Sequence, residues 1–180
     1  MVDIAIDGNG FPRSFDAAVP PDSPVPSGRL LAQGVLCGAH LLAFNFDWAR
    51  QIVDDFEIVP IPRAPAWVLG AVNVNGLIVP VIDIDNYFSQ HAAPAQLKRG
   101  QRLLVGGIQA EDAEGALAIV FSQTPAQLEY DRQPLLSPGA IPARLLEVCK
   151  GVISAGQGQF YMEVDPQQLM NALSAELLIA

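Results

Sequence analysis

Asp83-Ile84-Asp85, two aspartates set two apart in an apolar run, come nearest in type and spacing to doing chemistry. On a strand, positions i and i+2 share a face, so two carboxylates there could hold a divalent ion or split their pKa values, as a metal-assisted hydrolase requires. No third ligand accompanies them. The competing expectation is that Ile84 continues a buried strand while the aspartates meet solvent or cap backbone at its end. Asp54, Asp55 and Glu57 form a second acidic group in a segment that must turn and resume, and they read as a solvated loop. Nucleophilic catalysis would need a Ser or Cys beside a His and an acid. The two histidines are His40, inside an apolar strand, and His91, in a polar connector. Cys37 and Cys149 lie far apart with neither CxxC nor Cys/His spacing, which points to reduced thiols packed in strands. The glycine pairs Gly8/Gly10, Gly106/Gly107 and Gly156/Gly158 lack the setting and the Lys-Ser/Thr of a phosphate loop. The expectation is no catalytic group, no metal and no cofactor.

The elements that would carry such residues are short and β-rich. Residues 7 to 28 hold Pro12, Pro20, Pro21, Pro24 and Pro26 with almost no apolar periodicity, so residues 1–28 read as a flexible tail and 29–180 as the folded domain. From Gly34 onward come eight candidate strands: GVLCGAHLLAFNF, QIVDDFEIV, VLGAVNV, LIVPVID, RLLVGGIQA, ALAIVFS, LLEVCKGVISA and QFYMEV. This texture fits small barrels or a sandwich and not a doubly wound sheet. Asn75-Gly76 marks a hairpin because both residues tolerate positive φ, and Glu111 to Gly115 marks a longer turn. Leu77 to Ile82 is apolar on both strand faces, so both faces should be covered, with Pro80 at an edge or bulge. A helical turn is expected after Pro65. A short C-terminal helix should start at Asp165 as N-cap with Pro166 first, and carry Leu169, Met170, Leu173 and Leu177 at helical spacing. The polar stretch at 88–101 divides the β-rich region into two halves.

Charge narrows the partners. Nineteen Asp plus Glu against ten Lys plus Arg give a net charge of −9, and only Lys98 and Lys150 are lysines. No basic stripe exists to neutralise phosphates, which argues against nucleic acid and anionic membranes. No apolar run approaches the roughly 20 residues that span a bilayer. The opening MVDIAIDGNG carries acid where a signal peptide would carry Lys or Arg, which favours the cytoplasm.

Residues 42 to 88 resemble the CheW-like domain of bacterial chemosensory systems. The counterparts of the family pattern are Gln51-Ile52, then Pro65-Ala66-Trp67-Val68-Leu69-Gly70, then the hairpin Asn73-Val74-Asn75-Gly76, then Val79-Pro80-Val81-Ile82-Asp83. The later strands and final helix follow the family's order, so that the resemblance covers about residues 30 to 175. It implies two small five-stranded β-barrel subdomains sharing a hydrophobic seam, without catalysis. It also implies an adaptor linking chemoreceptor cytoplasmic tips to the regulatory domain of a CheA-type histidine kinase. The N-terminal tail and divergent hairpin are similar to those of PilI-type adaptors of pilus chemosensory clusters, which serve twitching motility. Family members usually carry a Glu facing the hairpin Arg beside the receptor groove. Those positions are Gln51 and Asn75 here, and the usual Val-Asp-x-Val appears as Phe121-Ser122-Gln123-Thr124. The expected partner-binding set is Gln51 and Asn75 meeting across the first barrel, with Asn73 and Gly76 in the hairpin and Ala49, Ile52, Leu103 and Leu117 lining an apolar groove. A double-barrel binding module that has left signalling remains the alternative, besides the Asp83/Asp85 hydrolase.

Overall fold

The computed structural model describes residues 30–90, 93–108, 115–130, 141–155 and 158–177. The tail at 1–28, His91 and all of the Glu111–Gly115 turn but Gly115 lie outside them. The order is β1 (Leu30–Cys37), β2 (His40–Asn45), β3 (Ala49–Val53), β4 (Val68–Val74), β5 (Leu77–Ile82), α1 (Ile84–Ser89), β6 (Arg102–Gly106), β7 (Leu117–Tyr130), α2 (Ala143–Val148), β8 (Cys149–Ser154), β9 (Phe160–Val164) and α3 (Pro166–Leu177).

The long strand β7 organises the rest. Its first part pairs antiparallel with β6 and parallel with β5, and its last part pairs antiparallel with β1. Two five-stranded halves therefore share it, ordered β3-β6-β7-β5-β4 and β7-β1-β2-β9-β8. Where β7 passes from one half to the other, Gly34 faces Ala126 but Leu36 faces Ser122, so Gln123, Thr124 and Pro125 bulge against one residue of β1. Gln123 takes φ 65° there. Arg102 steadies the bulge: its guanidinium lies 5.0 Å from the Phe121 ring centroid and donates to the Gln123 carbonyl.

Strand periodicity then sorts the core into three clusters. On β6, Leu103 and Val105 point into the first half, and Leu104 points the opposite way. On β7, Ala118 and Val120 enter the first half, while Leu117, Ile119 and Phe121 join a central cluster with Leu42, Phe44, Phe88, Leu145 and Leu169. That central cluster draws on both halves and all three helices, and is the seam between them. Ala32, Ala43, Leu128, Ile153 and Tyr161 fill the second half.

Five expectations are corrected. The fold is mainly β with a short C-terminal helix, but among the described residues no ladder joins β3 to β4 or β7 to β8, so neither half closes into a barrel. The stretch at 88–101 does not divide the halves, because β6 beyond it pairs with β3 of the same half; the crossing lies within β7. The strands covered on both faces are β6 and the start of β7; on β5, Ile78 is 67% exposed and Pro80 faces out where the parallel pairing with β7 has not begun. The run Leu145 to Val148 is helical, with Cys149 opening β8: Pro142 precedes the helix, and Leu145 and Val148, three apart, are its buried pair. Finally, Ile84 begins α1 and does not extend β5. Asp83 accepts from the Asn86 N–H at 3.1 Å as N-cap, and Ile84, Tyr87 and Phe88 bury the i, i+3, i+4 face.

Candidate functional site

The hairpin of β4 and β5 is set by its turn. Asn75 and Gly76 adopt φ 52° and 91°, the two positive values that match a two-residue turn to the twist of its strands. The Gly76 N–H donates to Asn73 Oδ1 at 2.8 Å, which locks the turn from its first strand. Inward Val72 and Val74 alternate with outward Asn73 and Asn75. On the neighbouring edge, a register shift in β3 between Ala49 and Gln51 turns Gln51 out to solvent. Asn75 Nδ2 donates to Gln51 Oε1 at 3.4 Å, so the two amides do meet. Around them Ile52 is half-buried, whereas Ala49, Leu103 and Leu117 are 7%, 0% and 2% exposed. Ala49 and Leu103 belong to the core and offer a partner nothing to touch, while Leu117, also in the core, lines an apolar groove together with Ile61, Trp67 and Pro80. Alternation in strands covered on both faces hides Leu103 and Leu117 however apolar the run.

The surface that sequence reasoning missed lies just beyond β3. Val59, Ile61 and Ile78 are 65%, 44% and 67% exposed, and they border one depression of about 790 Å³ together with Asp55 and Glu57. Val59 is held there by mutual hydrogen bonds with Ala71, at 2.8 and 2.9 Å. The available signal was Val59-Pro60-Ile61-Pro62: two prolines without N–H groups keep the segment out of a ladder and leave its apolar side chains on the surface. Asp54, which precedes the patch and does not line it, lies 3.5 Å from Arg102.

The acidic pair does not form the shared face a metal site would need; as the competing expectation had it, the carboxylates accept from neighbouring backbone. Asp83 Oδ1 is engaged as the α1 cap, and Asp85 Oδ1 accepts from the Ala39 N–H at 3.3 Å and lies 3.4 Å from His40 Nε2. Residues i and i+2 at a helix start diverge, so the two carboxylates serve different neighbours. Among the described residues no group of three His, Cys, Asp or Glu converges on a common point. Burial pushes the Cys37 thiol far up, with Asp83 and Asp85 adding to it. Burial raises Cys149 too, against the Gly151 backbone contact. Both are free thiols held in the unreactive protonated form. At the second half's helix, Asp165 accepts from Gln167 and Gln168 N–H groups at 2.9 and 3.3 Å and pairs with Lys150 at 3.2 Å. Burial alone would raise its carboxyl, but the Gln168 N–H, Lys150 and the Gln167 N–H outweigh it and hold it below the ordinary carboxylate range.

Residues 33–174 match the model of the CheW-like domain. The chain belongs to the CheW-like domain family. A chemotaxis protein CheW of Treponema pallidum (strain Nichols) is 26% identical over 120 residues, which is 66% of this chain and 69% of that protein. The crystal structure of the scaffolding protein TtCheW from Thermoanaerobacter tengcongensis superposes with a TM-score of 0.59 at 16% identity, over 76% of this chain and 84% of that one, and so shows the shared fold. As a CheW-like protein the chain is a non-enzymatic chemotaxis adaptor, and its chemistry is that of surfaces. No helix among the described residues is long and apolar enough to cross a membrane.

Proposed function

We propose that this CheW-like protein works in the bacterial cytoplasm, coupling chemoreceptor cytoplasmic tips to the regulatory domain of a CheA-type histidine kinase in a chemotaxis or twitching-motility pathway. The observation that carries this reading is the apolar patch of Val59, Ile61 and Ile78, since three large apolar side chains exposed beside one another mark a protein-docking surface. An adaptor needs two docking surfaces. The amide pair Gln51/Asn75 occupies the positions beside the family's receptor groove, which leaves the apolar patch for the kinase domain.

The test is calorimetric titration of the purified chain against the regulatory domain of the kinase encoded in the same genome. Binding in the micromolar range is expected, and none at about 100 μM overturns the reading. Ile78→Asp removes an anchor without touching the core; a loss of about tenfold in affinity is expected, and unchanged affinity removes the kinase from this patch.

A further inference from the structure

A second groove lies on the other side of the ridge made by Ile61 and Pro62. It measures about 310 Å³, and its walls come from three places: Trp67 in the loop before β4, Pro80 of β5, and Met170 and Leu177 along α3. It therefore spans the first half and the C-terminal helix, unlike the apolar patch, which belongs to the first half alone. Its lining is apolar except for Ser174 and one charge, Arg63. Arg63 is exposed, and among the described residues no carboxylate pairs with it. Arg50, Lys98 and Arg99 are likewise without a carboxylate partner among the described residues; Arg63 differs from them in lying at the edge of an apolar groove. The neighbouring patch has the opposite character, with Asp55 and Glu57 on its rim and no cation.

We propose that this groove docks a segment of a partner protein carrying two apolar side chains next to a carboxylate. The volume lies at the low end of ligand sites, enough for the ends of two large side chains, and the groove is only partly enclosed, so side chains projecting from a segment laid over it can enter. The carboxylate meets Arg63 at an apolar border, where partial exclusion of water strengthens the attraction. The same segment is repelled by the acid-rimmed patch across the ridge, so charge alone keeps the two surfaces from exchanging partners.

The probe is a synthetic helical peptide with two leucines four apart, flanked by glutamates, compared with its lysine-flanked twin. Each is titrated into the full-length, isotopically labelled chain while amide signals are followed by NMR. The glutamate peptide is expected to shift the Ala64 and Ser174 amides saturably and to bind about tenfold tighter than its twin, and Arg63→Glu to reverse that order. Equal binding of the two peptides, no saturable shift with either, or an unchanged preference in Arg63→Glu overturns the proposal. So do shifts confined to Phe56 and Asn73, which place the peptide on the acid-rimmed patch. Saturable shifts with decanoate but not with the peptide assign the groove to a small amphipathic acid, and equally overturn it. None of these outcomes depends on whether the kinase domain binds.

Discussion

Asn75 Nδ2 donates to Gln51 Oε1 at 3.4 Å across a face where both residues are exposed. The positions where the family resemblance leads one to expect opposite charges here hold two neutral amides in contact. A long, solvent-exposed amide contact contributes little to folding, and Gln51→Ala should change unfolding free energy by no more than about 0.5 kcal/mol in urea denaturation. The difference appears in salt dependence. Receptor-tip binding by the natural chain should change little between about 50 and 300 mM salt at this site. The double variant Gln51→Glu with Asn75→Arg should gain about 0.2–1 kcal/mol of pair energy at low salt and lose it at high salt. Binding measured at both salts in both proteins checks this, and a salt response that does not differ between them contradicts it.

Leu103 and Leu117 test the boundary between core and surface. Each is almost wholly buried, in the first-half cluster and the central seam respectively. Truncating either to Ala should cost about 2–5 kcal/mol, because the lost burial leaves a cavity between two covered faces. The expected readout is a large fall in Tm for both variants. A variant that kept its Tm while losing partner affinity would return that residue to the surface.

The sequence made the outline of the first half legible through positive-φ turn residues and alternation. Asn75-Gly76 sits in the two-residue hairpin it predicts, and Asp165-Pro166 opens the C-terminal helix with its carboxylate on the Gln167 and Gln168 N–H groups. Pairing across the chain was less legible. Nothing local reveals that β6 returns to β3 across the 88–101 connector, or that β7 serves both halves through a bulge at Gln123, because strand partners lie far apart in sequence. The Asp83-Ile84-Asp85 run shows the same limit at short range: alternation suggested a strand, while the i, i+3, i+4 set Ile84, Tyr87 and Phe88 with an Asp cap won. For the site, the hairpin and its amides could be read from residue type. Exposure of Val59 and Ile78 depends on which sheet faces are covered, and that follows only from the assembled fold.

Asp165 makes the second half sensitive to acid. Its folded carboxyl titrates below the ordinary carboxylate range, so the unfolded chain takes up this proton first as pH falls. The stabilisation is therefore complete above the unfolded value, near pH 4, and is lost as pH falls through the lower folded value. Asp165→Asn keeps a side-chain acceptor for the first turn of α3 but removes the Lys150 pair and the titration. Thermal melts at pH 7 and pH 3 should show a smaller acid-induced fall in Tm for Asp165→Asn than for the natural chain. Asp165→Ala should be about 1 kcal/mol less stable at pH 7 through loss of the cap.

Gly70 ties the exposed apolar patch to the sheet beneath it. It takes φ 145°, and a Cβ there would meet the Val59 carbonyl oxygen at 2.3 Å and Ile58 Cγ2 at 2.7 Å. The first clash is with backbone, which cannot rotate away, and Val59 is the residue whose two hydrogen bonds to Ala71 hold the patch in place. Gly70→Ala should therefore displace the segment around Val59 at a cost of about 1–3 kcal/mol, with faster hydrogen exchange at the Val59 and Ala71 amides. Kinase-domain affinity should fall with it, because the displaced residue is one of the three exposed apolar anchors. Gly76→Ala is the control: its φ is also positive at 91°, but a Cβ there meets open space. That variant pays only local strain, on the order of 1 kcal/mol, and leaves Val59 paired. If Gly70→Ala accelerates exchange at Val59 no more than Gly76→Ala does, the packing of this segment against β4 is not what presents the patch.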